Sequence, residues 1–246
     1  MPAPLKLLCL PPAGASASMY VRWKRSLPGW VDVVPVELPG RGARFGEAFV
    51  EDFDTLVERL CREHVEGLTG PYAMFGHSMG GLIAHGIARR QRARHGRLPA
   101  VLLVSGCPAP SQRDPDRFVG TDDDAGLIED MRKQGGTPEE VFANEEMLRL
   151  TLTVLGADYR LVRSYAYRPA APLPMPLHVF AGKDDEIEPE RIDAWRQEAG
   201  HRFSVEWFDG GHFFVRHRED EVLRAMTDRL SREWLGGGRH AAHSVA

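Results

Sequence analysis

The sequence predicts an α/β fold with a mainly parallel sheet flanked by helices. Three observations carry this prediction. Short apolar runs rich in β-branched residues alternate with stretches of helical periodicity. Every such run ends in a turn-rich segment. A single long stretch without a strand pattern, residues 111–176, interrupts the alternation as a helical insertion.

The strand candidates lie at residues 5–10, 31–36, 72–75, 101–104, 177–180 and 204–208. Helical patterns fall between and after them at 18–27, 53–67, 79–94, 191–199 and 219–234. The loops after the strands read PPAGAS, ELPGRG, GHSMGG, SGCPAP, AGKDDEIEP and FDGGH. Ligands of open parallel sheets bind beyond the carboxyl ends of the strands, so these loops are expected to share one edge that holds the active site. Within the insertion, helices are expected at 124–133, 138–142 and 145–167, followed by a proline-stiffened return over 169–176. An insertion of this kind reads as a lid. The expected organisation is one domain over residues 1–235, with a lid at about 111–176 and a disordered tail at 236–246.

Composition narrows the function classes. With 246 residues, 43% apolar and 27% charged, the chain is of ordinary globular make-up and is not globally disordered. A chain of this length buries roughly 70–75% of its unfolded surface. Lys plus Arg number 31 against 35 Asp plus Glu, a net charge of −4 that argues against a nucleic-acid coat. Cys9, Cys61 and Cys107 are too sparse for a disulfide framework or a CxxC metal site. The apolar runs fall far short of the roughly 20 residues of a membrane helix. Pro11-Pro12 ends the first run before it could serve as a signal peptide. A soluble cytoplasmic protein with no nucleic-acid or membrane partner is expected.

Chemistry concentrates in four of the loops. Gly76-His77-Ser78-Met79-Gly80 is a G-x-S-x-G sequence between a strand and a helix, the setting in which a sharp turn lifts a serine hydroxyl above the sheet edge. A serine nucleophile needs a base, and the base an orienting acid. His212, in the glycine-rich loop after the last strand, is the candidate base. The acid is expected after the strand at 177–180, where Asp185 is favoured and Asp184 competes; the other aspartate is expected to cap the next helix. The oxyanion needs two aimed N–H donors. Met79, first on its helix, supplies one, and Ala13 is the first residue after Pro11 and Pro12 able to supply the other. No metal site is expected from the acidic cluster Asp184, Asp185, Glu186 and Glu188, which has no His or Cys ligand at motif spacing. Arg89, Arg90, Arg92, Arg94 and Arg97 are read as complementing a helix dipole, Asp122-Asp123-Asp124 as a lid-helix cap, and Cys107 as a buried thiol.

These residues resemble the α/β-hydrolases, and more narrowly the stand-alone type II thioesterases of polyketide and nonribosomal peptide assembly lines. The narrower resemblance is carried by LPPAGASAS at 10–18, ELPGRGAR at 37–44, GHSMGG at 76–81 and GGHFF at 210–214. The lid segments KQGGTPEEVFANEEMLRL at 133–150 and ADYRLVRSYAYRPAAPLPMPL at 157–177 extend it over nearly the whole chain to about Leu235. The chain departs from the family at Gly14-Ala15, where two glycines are common. It departs again at Thr153 and Gly156, where Pro and Arg are usual. The resemblance implies hydrolysis of acyl thioesters on the phosphopantetheine arm of acyl or peptidyl carrier proteins, by a monomer with no metal or organic cofactor. Ser78 would be the nucleophile, His212 the base, Asp185 its orienting acid, and Met79 and Ala13 the oxyanion donors. Competing readings are a general carboxylesterase, an acyltransferase, which would carry an arginine on the strand at 101–104 that is absent here, and a catalytically silent binding protein.

Overall fold

A computed structural model describes residues 3–114 and 116–235, so the tail expected at 236–246 lies outside the described residues. Six strands, β1 (Leu5–Leu10), β2 (Val31–Pro35), β3 (Tyr72–His77), β4 (Leu102–Ser105), β5 (Leu177–Gly182) and β6 (Phe203–Phe208), form one sheet in the order β2-β1-β3-β4-β5-β6. Every pairing in it is parallel. The α-helices are α1 (Trp23–Ser26), α2 (Phe53–Leu60), α3 (Met79–Ala93), α4 (Asp124–Gln134), α5 (Glu139–Ala143), α6 (Glu145–Arg163), α7 (Pro189–Asp193), α8 (Phe214–His217) and α9 (Glu219–Leu230).

The central strands β1, β3, β4 and β5 read as near-continuous apolar runs because both sheet faces are covered, whereas the edge strands β2 and β6 carry Asp32, Ser204 and Glu206. Leu8 and Leu10 of β1, Met74 of β3, Val104 of β4 and Val179 of β5 enter a core with α2, α3 and Trp195. Their alternate neighbours Leu7, Cys9, Phe75, Leu103 and Phe180 enter a second core with Trp23, Phe214 and α9. A third, smaller cluster of Leu127, Met131, Leu152, Leu155 and Tyr159 holds the insertion together. From β1 the chain steps outward to β2, then returns across β1 to β3. That reversal opens a crevice between the carboxyl ends of β1 and β3, where the PPAGAS and GHSMGG loops diverge.

The helices of the insertion begin where their caps dictate. Asp123 Oδ1 accepts from Gly126 N at 2.9 Å to start α4, and Asn144 Oδ1 accepts from Met147 N at 2.9 Å to start α6. Gly135, at φ 71°, ends α4 in the left-handed conformation that glycine adopts without strain. Other stretches are less regular than their periodicity suggests. The pattern at 18–27 divides into a 3₁₀ turn at Ala17–Tyr20 and α1, and the pattern at 53–67 passes from α2 into a π turn at Cys61–Val65. Helix α6 stops at Arg163, ahead of the expected 167, where the Ser164 hydroxyl donates to Leu161 O at 2.6 Å and accepts from Phe53 N at 2.8 Å. The arginines at the end of α3 tie segments together. Arg90 and Arg94 both pair with Glu58 of α2, Arg89 pairs with buried Glu198, and Arg92 donates to Ala171 O at 2.7 Å. Among the described residues no helix is long and apolar enough to cross a membrane.

Candidate active site

Strand β3 ends at His77 and α3 begins at Met79, so the whole strand-to-helix turn falls on Ser78, at φ 53° and ψ −118°. A side chain is strained in that conformation, and the surrounding contacts must hold it there. The flanking glycines make the turn possible. A Cβ on Gly76 would lie 2.1 Å from Gly80 O, and one on Gly80 would lie 2.2 Å from Leu10 O. The first turn of α3 therefore presses directly on β3 and on the end of β1. Ser78 N donates to Ser105 O at 2.7 Å, which fastens the turn to the end of β4. Below it His77 is fully buried and shares a hydrogen bond with Ser105 Oγ at 2.9 Å. Burial, reinforced by the neighbouring His212, pushes its pKa well below the ordinary histidine value, so His77 is neutral at physiological pH.

His212 and Asp185 meet across the loops that follow β6 and β5. His212 Nδ1 lies 2.9 Å from Asp185 Oδ2, with side chains 14% and 5% exposed. An ionised carboxylate only accepts, so Nδ1 carries the proton and Nε2 keeps its lone pair. Asp184 turns the other way. Its Oδ2 accepts from Gly210 N at 3.2 Å and its own N–H donates to Gly210 O at 3.1 Å. It thus staples the acid loop to the histidine loop instead of capping the next helix; the cap position of α7 is Glu188, which makes no side-chain cap bond. The two loops are pressed so closely that a Cβ on Gly182 would fall 2.6 Å from Gly210 O.

Which backbone amides stay free follows from what their neighbours do. After Pro11 and Pro12, Gly14 N donates to Asp158 Oδ2 at 2.8 Å and Ala15 N to Pro12 O at 3.2 Å. Gly81 N and Leu82 N both return to Ser78 O, at 2.9 and 3.3 Å. Among the described residues the amides of Ala13 and Met79 take no acceptor, and they flank the crevice at the β1–β3 reversal. Ala15 needs no glycine, because Ser78 and His95 are the described non-glycine residues with positive φ.

Ser78, Met79, Ala13, Asp185 and His212 all line one cavity of about 900 Å³, roofed by insertion residues including Phe118, Met131, Leu155 and Tyr159. Among the described residues no hydrogen bond joins the Ser78 and His212 side chains. Cys107 is buried at the cavity wall, and burial pushes its thiol up to about 12, which keeps it protonated and non-nucleophilic. Among the described residues no group of three or more His, Cys, Asp or Glu side chains could hold a metal ion.

Two features of the site escape the sequence reading. Phe213 stands with its ring 5.3 Å from that of His212, and Gly136 of the insertion packs against it so tightly that a Cβ would lie 2.2 Å from the ring. The glycine pair in KQGGTP is thereby explained: Gly135 ends a helix and Gly136 lets the insertion touch the ring beside His212. The second feature is an ion pair between Arg41 of ELPGRG and Asp158 of α6, at 2.5 and 2.6 Å, buried behind the PPAGAS loop. The motif strings containing Gly136, Phe213 and Arg41 are visible in the sequence, but nothing local says what those residues touch.

A family model for the thioesterase domain matches residues 5–230. The thioesterase PikA5 of Streptomyces venezuelae is 36% identical over 239 residues, covering 93% of this chain and 83% of that protein. RedJ, a thioesterase from the prodiginine biosynthetic pathway of Streptomyces coelicolor, superposes with a TM-score of 0.83 at 35% identity, over 92% of this chain and 90% of its own. BorB, the type II thioesterase of the borrelidin biosynthetic cluster, superposes with a TM-score of 0.84 at 36% identity, over 94% and 95%. The chain belongs to the thioesterase family, built on the α/β-hydrolase fold.

Proposed function

We propose that this thioesterase acts in trans on acyl or peptidyl carrier proteins, hydrolysing acyl groups from the phosphopantetheine arm to clear stalled or misprimed polyketide or nonribosomal peptide assembly lines. The observation that carries the reading is the convergence of Ser78, the His212–Asp185 pair and the amides of Ala13 and Met79 on one cavity of about 900 Å³.

The chemistry needs only these groups. His212 Nε2 takes the Ser78 proton as Oγ bonds to the thioester carbonyl carbon, and the carbonyl oxygen becomes an oxyanion received by Met79 N and Ala13 N. Collapse breaks the C–S bond, and the proton on Nε2 goes to the departing thiolate of the arm. Water then attacks the acyl-Ser78 ester, His212 accepting one of its protons. A second collapse releases the carboxylic acid and returns the proton to Ser78 Oγ. Asp185 fixes the histidine tautomer throughout. A serine–histidine hydrogen bond often tightens only in the substrate complex, so the hydroxyl would swing towards Nε2 when the acyl group enters.

In this reading residues 111–176 are a lid whose apolar wall receives the acyl chain, within a single domain over 1–235. The enzyme works as a cytoplasmic monomer without metal or organic cofactor. The test loads a carrier protein with acetyl, propionyl and longer acyl groups and follows unloading by intact-protein mass spectrometry. Unloading is expected, and Ser78→Ala is expected to lose it by about 10³-fold or more. Brisk cleavage of simple oxygen esters with no carrier unloading would instead identify an esterase.

A further inference from the structure

We propose that Arg41 and Asp158 are positioning residues that hold the oxyanion loop in register and couple it to the lid. The proposal rests on the reading that the Ala13 amide receives the oxyanion. The Arg41 and Asp158 side chains are only 6% and 3% exposed, and the guanidinium faces the carboxylate with two nitrogens on two oxygens. Stability does not account for such a pair. Two buried charges lose their hydration, and apolar side chains of similar size often serve as well or better. Here the pair is also incompletely satisfied, since Arg41 Nε is buried without a partner.

What the pair does is join three segments distant in sequence. Asp158 comes from α6, Arg41 from the loop after β2, and both reach the loop after β1. Asp158 Oδ2 accepts from Gly14 N at 2.8 Å, and Arg41 donates to Ala15 O at 3.3 Å. One helical turn before Asp158, Leu155 packs under Gly14, leaving only 3.2 Å for a Cβ there. The next two residues are held by Glu37 of the same ELPGRG motif, which accepts from Ser16 Oγ at 2.7 Å and from Ala17 N at 3.0 Å. Each of residues 14–17 is thus held by at least one hydrogen bond, and among the described residues Ala13 N takes no internal acceptor. An ångström of drift in a catalytic donor can cost about 100-fold in rate. Because the carboxylate belongs to the lid, a lid that moves away takes the Gly14 anchor with it and disorders the donor.

The experiment compares Asp158→Leu, Arg41→Met and the double variant with the unmodified enzyme. It measures kcat and KM on an acyl N-acetylcysteamine thioester, inhibition by an alkylboronic acid, and thermal unfolding. The boronate forms a tetrahedral adduct on the serine and places an oxygen where the oxyanion sits, so its affinity reports the donors. Each single variant is expected to lose about 10- to 100-fold in kcat and a similar factor in boronate affinity, with KM within about threefold. The double variant, with an apolar pair in place of the ion pair, is expected to recover unfolding temperature but not kcat. Glu51→Gln, which breaks the exposed α6 tie between Arg160 and Glu51, is expected to stay within about twofold. Where a leucine or methionine variant fails to fold, Arg41→Lys keeps the charge but loses the fork, and the same loss of kcat and boronate affinity is expected. Full recovery of kcat in the double variant would overturn the proposal, as would unchanged boronate affinity in all variants. An unmodified enzyme that neither turns over the thioester nor binds the boronate would sink the serine-thioesterase reading itself.

Discussion

At the scale of single residues, Asp184 and Asp185 show how neighbouring carboxylates separate into different roles. They leave the same loop, yet the Asp185 side chain is buried against the imidazole while Asp184 is exposed and bonded to the backbone of Gly210. Asp185→Asn replaces an acceptor-only group with one that can donate to Nδ1, which favours the wrong histidine tautomer. The expected outcome is a fall in kcat of about 10²–10⁴-fold with substrate affinity little changed. Asp184→Asn keeps an oxygen for Gly210 N, so kcat should stay within about threefold and stability within about 1 kcal/mol. Steady-state kinetics of the two variants on one thioester decides the assignment, and the reverse order of effects would move the orienting role to Asp184.

At the scale of elements, the elbow between β3 and α3 depends on glycine where helix propensity would prefer alanine. Gly80 is on the first turn of α3, and Ala there would gain about 1 kcal/mol in propensity. Its Cβ would also sit 2.2 Å from Leu10 O and 2.8 Å from Pro11 O, both backbone atoms with little freedom to retreat. The clash wins: Gly80→Ala is expected to destabilise the fold by about 2 kcal/mol or more and to displace Ser78, abolishing most activity. Gly46→Ala, with nothing within 4 Å of the new Cβ, is the neutral control. Denaturant midpoints of the two proteins test this, and equal midpoints would refute the close approach. The same contrast explains what the sequence disclosed. Strands buried on both faces and a helix as periodic as α6 declare themselves locally, as do a G-x-S-x-G turn and a glycine-rich histidine loop. The π turn at Cys61–Val65 and the break at 18–27 arise from packing, which periodicity does not register. Arg41 and Asp158 stand 117 residues apart, and no local pattern pairs them.

At the scale of the whole molecule, the packed interior holds histidines that must stay neutral, and this ties stability to pH. His77 and His85 are buried, and burial lowers the pKa of each. His178 on β5 is 4% exposed, and burial, aided by Arg229, Arg202 and Arg232, brings its pKa down to about 4. An unfolded chain protonates these rings near pH 6.5. Between that pH and the folded value the unfolded state binds more protons, so their contribution is complete above about 6.5 and is lost as pH falls. Glu198 does not blur the window. Burial opposes its charge, but hydrogen bonds from His85 and Tyr167 and the Arg89 guanidinium bring its pKa down to about 2, so it titrates only below the ordinary carboxylate range. His178 should therefore remove about 1.4 kcal/mol per pH unit between about 6.5 and its folded value of about 4. Urea unfolding at pH 7.5 and pH 5 is expected to show the loss, and His178→Gln should lose about 2 kcal/mol less than the unmodified chain over that interval. Parallel losses in the two proteins would mean that His178 is already protonated in the fold, and the charge would then have to be stabilised by Glu233, whose Oε1 lies 3.6 Å from the ring.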